Sequence, residues 1–214
     1  MKERNGNRKP RSQRRAFREP CLGYYYIVTD TKETEKNYFD GLRDSLPESL
    51  QGKLVVKVAT TGTGNLLDFA KEQSNLHPQY CEPWIVFDRD QVQDFDKIIE
   101  RAEQLKVNVG WSNPCIETWF YSYYGKMPRC KDSVACWKRF ATQFEKITGQ
   151  EYDKADKSIY NKLCATGDET KAIQLAERKL KQYYENGFKK PSDMNAASTI
   201  FKLIREIRKK VTAG

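Results

Sequence analysis

Asp88 and Asp90 close the apolar run Pro83-Trp84-Ile85-Val86-Phe87. Four apolar residues with β-branched and aromatic content, bounded by Pro and charge, read as a buried strand. Residues i and i+2 of an extended chain point the same way, so both carboxylates project at one edge of a sheet. Like charges held side by side need a cation between them. An all-oxygen donor set of this kind suits a hard divalent ion such as Mg²⁺ or Mn²⁺. Two solvated aspartates in a loop are the plain alternative, and the pair alone does not decide.

Further acids follow the same logic. Tyr24-Tyr25-Tyr26-Ile27-Val28-Thr29 predicts a strand that runs into Asp30, with Glu33 and Glu35 behind it. Thr34 is placed to N-cap a helix whose Tyr38, Phe39 and Leu42 recur at helical spacing. Glu35 is either a ligand or a first-turn complement to the helix dipole. Val107–Trp111 predicts another strand, after which Ser112 or Asn113 would cap a helix with Pro114 in its first turn. Glu117 then lies one turn in, as a ligand or as a capping-box partner. In an open α/β sheet, ligands bind outside the carboxyl ends of the strands, where Asp30, Asp88 and Asp90 would sit.

The elements that must hold these residues alternate. Strands are predicted over 24–29, 54–59, 84–88 and 107–111, and helices near 34–46, 64–75 and 93–105. That order argues for a parallel sheet flanked by helices. From 114 onward the pattern is helical, over 114–124, 132–147, 156–164, 168–187 and 196–210. The expected organisation is a flexible basic arm over 1–20, an α/β core over 21–125 and a helical extension over 126–214 packed on that core.

Three blocks together resemble the RloB-like family of Toprim-type proteins found beside bacterial restriction loci. They are strand–acid–Thr-Glu-x-x-Tyr-Phe, strand–Asp-x-Asp, and Ser112-Asn113-Pro114-x-x-Glu117-x-Trp119. The resemblance begins near Arg11–Arg18 and continues through Tyr152-Asp153-Lys154 and Ile159–Leu163 to Asn195–Thr199. It implies a Toprim-like fold of about four parallel strands, a divalent-metal site and nuclease activity in anti-phage defence, with abortive infection as the outcome. The family's first strand ends in Glu-Gly, whereas this chain has Asp30-Thr31. The carboxylate is kept, and Thr31 must fit its β-carbon where glycine gives an unhindered turn. Glu35, Asp88, Asp90 and Glu117 stand at their family positions. The resemblance also admits an ATPase encoded nearby as a partner; homo-oligomerisation stays open.

Composition agrees with a nucleic-acid partner. The chain has 214 residues, 38% of them hydrophobic, which is enough to bury a core, and a net charge of +9. A positive field gathers a polyanion, DNA or RNA (tRNA included), and carboxylates then hold the cation that meets the phosphate. A basic surface serving solubility is the competing reading. Six cysteines form no C-x-x-C pair, and residues 1–20 lack the apolar core of a signal peptide. With no run long enough to span a membrane, a cytoplasmic protein with reduced thiols is expected.

His77, the single histidine, precedes Pro78 in a polar segment and reads as a loop residue. Thr60-Thr61-Gly62-Thr63-Gly64-Asn65 can cradle phosphate at a helix start, but it lacks the Gly-Lys-Ser/Thr ending of a Walker A loop and reads as a turn. Trp119, Phe120, Tyr121, Tyr123 and Tyr124 crowd one helix and read mainly as core, with one or two free to stack on a base.

The expected mechanism is metal-assisted phosphodiester hydrolysis. Asp88 and Asp90 bind one or two ions, Asp30 completes the set, and Glu35 and Glu117 join a second ion or orient water. Lys154 or Arg89 would stabilise the leaving side. The rival expectation is a degenerate, non-catalytic nucleic-acid-binding or sensing subunit, favoured by Asp30-Thr31.

Overall fold

The computed structural model describes residues 25–31, 33–59, 65–76, 82–90 and 92–212. The arm over 1–20, Tyr24, residues 60–64 of the Thr-Gly loop and His77 lie outside the described residues. In chain order the elements are β1 (Tyr25–Thr29), α1 (Thr34–Asp44), α2 (Glu48–Gln51), β2 (Leu54–Val58) and α3 (Leu66–Leu76). Then come β3 (Glu82–Asp88), α4 (Phe95–Gln104), β4 (Asn108–Asn113), α5 (Glu117–Tyr123), α6 (Ser133–Thr148) and α7 (Ile159–Thr166). The chain continues with α8 (Glu169–Glu185), a 3-10 turn at Pro191–Asp193, β5 (Ala197–Ser198) and α9 (Ile200–Thr212).

The sheet order is β2-β1-β3-β4-β5. The four strands β1–β4 run parallel, as the alternating pattern predicts, and β5 adds an antiparallel edge. All five residues of β1 are buried, as are Pro83–Phe87 of β3. Strands covered by helices on both faces must be apolar on both, hence the unbroken runs. The chain leaves β1 toward β2 on one side and returns to β3 on the other. The crevice at such a reversal, outside the carboxyl ends of the two strands, is where open α/β sheets bind ligands. Thr29 pairs with Val86, so Asp30 and Asp88 leave neighbouring strands almost side by side.

The C-terminal part is tied into this sheet. Tyr25 Oη donates to Glu206 of α9 at 2.8 Å, and Trp111 N donates to Thr199 Oγ1 at 2.9 Å. The helix expected over 196–210 instead starts at Ile200, because Ala197 and Ser198 pair with Asn113 and Ser112. Ser198 Oγ accepts from Ile200 N at 3.3 Å, so this serine opens the helix and does not sit inside it.

Helix α6 is set by its ends. Asp132 Oδ1 accepts from Ala135 N at 2.7 Å, and Gly149 closes the helix at φ 70°. Helix α1 crosses α7 so closely that a β-carbon on Gly41 would lie 2.6 Å from Tyr160 Cβ. That contact fixes the height of α1, and with it Glu35, above the sheet.

Candidate active site

Four carboxylates from four elements meet at the crevice. Asp30 follows β1, Glu35 stands in the first turn of α1, Asp88 ends β3, and Glu117 opens α5. All four line one cavity of about 800 Å³, together with Asp90, Lys154 and, from α6, Ser133, Val134 and Trp137. Glu35 is 2% exposed and Glu117 1%. Charges buried to that degree are found paired or metal-bound.

Three of the four acids, Glu35, Asp88 and Glu117, are oriented by a neighbour. Thr31 Oγ1 donates to Glu35 Oε2. Ile116 N donates to Asp88 Oδ2 at 2.9 Å. Tyr152 Oη donates to Glu117 Oε1 at 3.0 Å, and Lys154 Nζ stands 3.7 Å from the same oxygen. The 152–156 segment is held over α1 by its backbone: Thr34 Oγ1 donates to Lys154 O at 3.2 Å and Asn37 Nδ2 to Ala155 O at 3.0 Å.

These local bonds do not neutralise the cluster. Burial, then the negative charge of Asp30, pushes Glu35 up to about 8. Burial, then Glu35 and Asp30, holds Asp88 well above the usual carboxylate range. Asp88 Oδ1 is buried and has no hydrogen-bond partner. Among the described residues, no three His, Cys, Asp or Glu side chains form a ready-made ligand group. The acids share the cavity, and Glu35, Asp88 and Glu117 each engage a local donor through one oxygen. Excess negative charge, oxygen-only donors and an unsatisfied buried oxygen fit a hard divalent cation.

Asp90 lines the rim of the same cavity, but not by strand geometry. The strand stops at Asp88 and the chain bends, so the i, i+2 geometry of an extended strand does not reach Asp90. Asp90 is exposed at the rim, where Ser133 Oγ donates to its Oδ1 at 2.6 Å. Arg89 turns from both aspartate carboxylates. Its guanidinium donates to the carbonyls of Asp90 and Val92 and lies 6.0 Å from the Phe95 ring centroid.

Two expected caps are replaced. Thr34 lies inside α1, whose N-cap is Glu33, because its hydroxyl is engaged by the Lys154 carbonyl. Ser112 and Asn113 finish β4, and Pro114 follows a cis bond and precedes the helix. The N-cap of α5 is Ile116, so Glu117 is the first helical residue and forms no capping box with Ser112 or Asn113. Thr31 does not need a left-handed backbone: among the described residues, positive φ at non-glycine positions occurs only at Lys106 and Ala196. Position 31 therefore does not require glycine, and Thr31 supplies a hydroxyl to Glu35 that glycine lacks.

Tyr152, Ser133 and Trp137 were not singled out from the sequence as site residues. Only the spacing Ser133-x-x-x-Trp137, one helical turn, places the last two on one face. The aromatic crowd on α5 is buried from Glu117 to Tyr123, which leaves only Tyr124 half-exposed. Among the described residues, no helix is long and apolar enough to cross a membrane.

A family model described as RloB-like protein matches residues 25–207. No curated protein and no solved structure matches the chain.

Proposed function

The chain belongs to the RloB-like protein family, and from that premise we propose a metal-dependent nuclease that hydrolyses phosphodiesters of DNA or RNA in anti-phage defence. One observation carries the reading: acids from four separate elements share one cavity at the β1/β3 reversal, with Asp88 Oδ1 buried and unsatisfied. A purely structural role would leave those charges paired by the protein itself.

Asp30, Asp88 and Glu117 would hold a Mg²⁺ or Mn²⁺ ion, with Glu35 completing the set. Such an ion lowers the pKa of bound water and neutralises charge on the scissile phosphate. The chain's own groups then have defined tasks. Ile116 N and Tyr152 Oη keep Asp88 and Glu117 aimed into the cavity, as outer hydrogen bonds do for metal ligands. Lys154, exposed beside Glu117, meets the phosphate and stabilises charge as the leaving oxygen departs. Asp90 at the rim stands where it can bind water or a second ion. The net charge of +9 draws the polyanion to the site. The defence role and an ATPase partner rest on the RloB-like resemblance.

The test is direct. The purified protein is incubated with single-stranded and duplex DNA and RNA in Mg²⁺, Mn²⁺ or EDTA. The reading expects products that need metal and vanish in Asp88→Asn. Equal cleavage by Asp88→Asn overturns it. A second reading, a binding subunit without catalysis, draws on Asp30-Thr31 in place of Glu-Gly. Metal-independent binding without products favours that reading.

A further inference from the structure

The mouth of the cavity has a character that the carboxylates do not explain. Trp137 and Val134 stand on one face of α6, one turn apart, and both line the opening. Val134 is 51% exposed and Trp137 half-buried, whereas Trp84, Trp111 and Trp119 are all buried. Lys154 Nζ lies 5.6 Å from the Trp137 ring centroid and 3.7 Å from Glu117. One ammonium thus links the acidic floor to the aromatic rim. The segment that leads into α6 and through its first turns is basic. Lys126, Arg129, Lys131, Lys138 and Arg139 are exposed, and the single acid among residues 126–139, Asp132, is engaged as the cap of α6.

We propose that this rim reads single-stranded nucleic acid, with Trp137 stacking an unpaired base while Lys154 meets the adjoining phosphate. The inference rests on the nucleic-acid reading of the same site and adds the form of the substrate. An aromatic face beside a cationic track binds single strands, because every unpaired base offers a π-face. In a duplex those faces are already stacked, and presenting one to Trp137 costs unstacking and unpairing. The basic flank favours a polyanion over an apolar protein partner for the same exposed patch.

Trp137 also supplies the readout, since it is the tryptophan a ligand can reach. Wild-type protein is titrated in Ca²⁺ with short oligo(dA) and oligo(rA), with an abasic strand of equal length, and with a duplex. The expected result is quenching of tryptophan emission by the strands that carry bases and little by the abasic strand or the duplex. Trp137→Leu should lose the quench and bind single strands roughly tenfold more weakly, with partial recovery in Trp137→Phe. Unchanged emission from the three buried tryptophans checks that the Leu variant is folded. Equal quenching by the abasic strand, unchanged affinity in Trp137→Leu, or duplex competing as well as single strand each overturns the inference. If oligo(dA) and oligo(rA) quench but nothing is cut in Mg²⁺ or Mn²⁺, the stacking platform stands and the hydrolytic reading fails. Duplex and single strand cut equally fast by wild type and Trp137→Leu is the reverse.

Discussion

Two acid sites in this protein sit under very different conditions. Glu169, at the start of α8, accepts from Tyr160 Oη at 2.9 Å, from Tyr123 Oη at 3.3 Å and from Arg208 Nε at 2.7 Å. Tyr123 Oη is in turn hydrogen-bonded to Tyr38 Oη, which accepts from the indole N–H of Trp119. Every partner of that carboxylate is a donor. At the sheet edge, by contrast, the strongest charged neighbours of Glu35 and Asp88 are other acids. A carboxylate surrounded by donors holds helices together. Ionised carboxylates gathered against one another are destabilising, and that cost is offset by a bound proton or by a cation.

The largest expected contrast is between Asp88→Asn and Arg208→Met. Asp88→Asn should lower cleavage by at least about 10²–10³-fold. Its metal-free thermal midpoint should match or exceed wild type, because a disfavoured charge is removed. Arg208→Met should do the opposite. It strips the cation from Glu169 and costs about 1–3 kcal/mol, the low side of a buried pair because Arg208 keeps some solvent contact. Cleavage per folded molecule should be unaltered. Denaturant melts and initial rates on both variants check this, and the contrast collapses if Asp88→Asn unfolds the protein or if Arg208→Met abolishes cleavage of the folded fraction.

A smaller effect is expected at Tyr152. Tyr152→Phe frees Glu117 from its orienting hydroxyl and should weaken activation by metal roughly tenfold while the fold persists. A Mn²⁺ titration of activity reads this, and an unchanged midpoint would remove Tyr152 from the site.

The smallest effect is a pH dependence. Glu35 is raised from its ordinary 4.5 to about 8 by burial and by Asp30. The folded protein therefore holds that proton more tightly than the unfolded chain. Its stabilising contribution is complete below about 4.5 and is lost as pH climbs through about 8. Metal-free wild type should lose thermal stability across that window, and Glu35→Gln should lose less. Saturating Mn²⁺ should raise the midpoint by about 2–8 °C at pH 8, and by less at pH 6, where protons compete for the same oxygens. Melts in EDTA and in Mn²⁺ at both pH values decide it; an equal shift at both pH values speaks against carboxylate ligation.

Much of the acidic site was legible in the sequence because strand ends are legible. Apolar runs bounded by Asp30 and Asp88 announce both the strands and the rim they reach. Asp90 reaches the expected rim through a bend after Asp88 and not through the period of two, which holds only while the chain is extended. The pair Ala197-Ser198 was read as helix because two residues carry too little pattern to signal a strand; pairing with β4 decides it. The caps failed where a tertiary partner took the hydroxyl, as the Lys154 carbonyl does with Thr34. Tyr152 and Trp137 belong to the site through contacts across the fold, which local pattern does not encode. Glu169 gave no signal at all, since a satisfied acid and an unsatisfied one are the same letter.

The central claim is that Asp30, Asp88, Glu35 and Glu117 converge on one divalent ion. Anomalous diffraction from crystals grown with Mn²⁺ measures this directly. The account predicts an anomalous peak inside the cavity, within bonding distance of Asp88 Oδ1 and at least one further carboxylate of the four. Clean density with Asp88 Oδ1 still buried and unligated at saturating Mn²⁺ would contradict it.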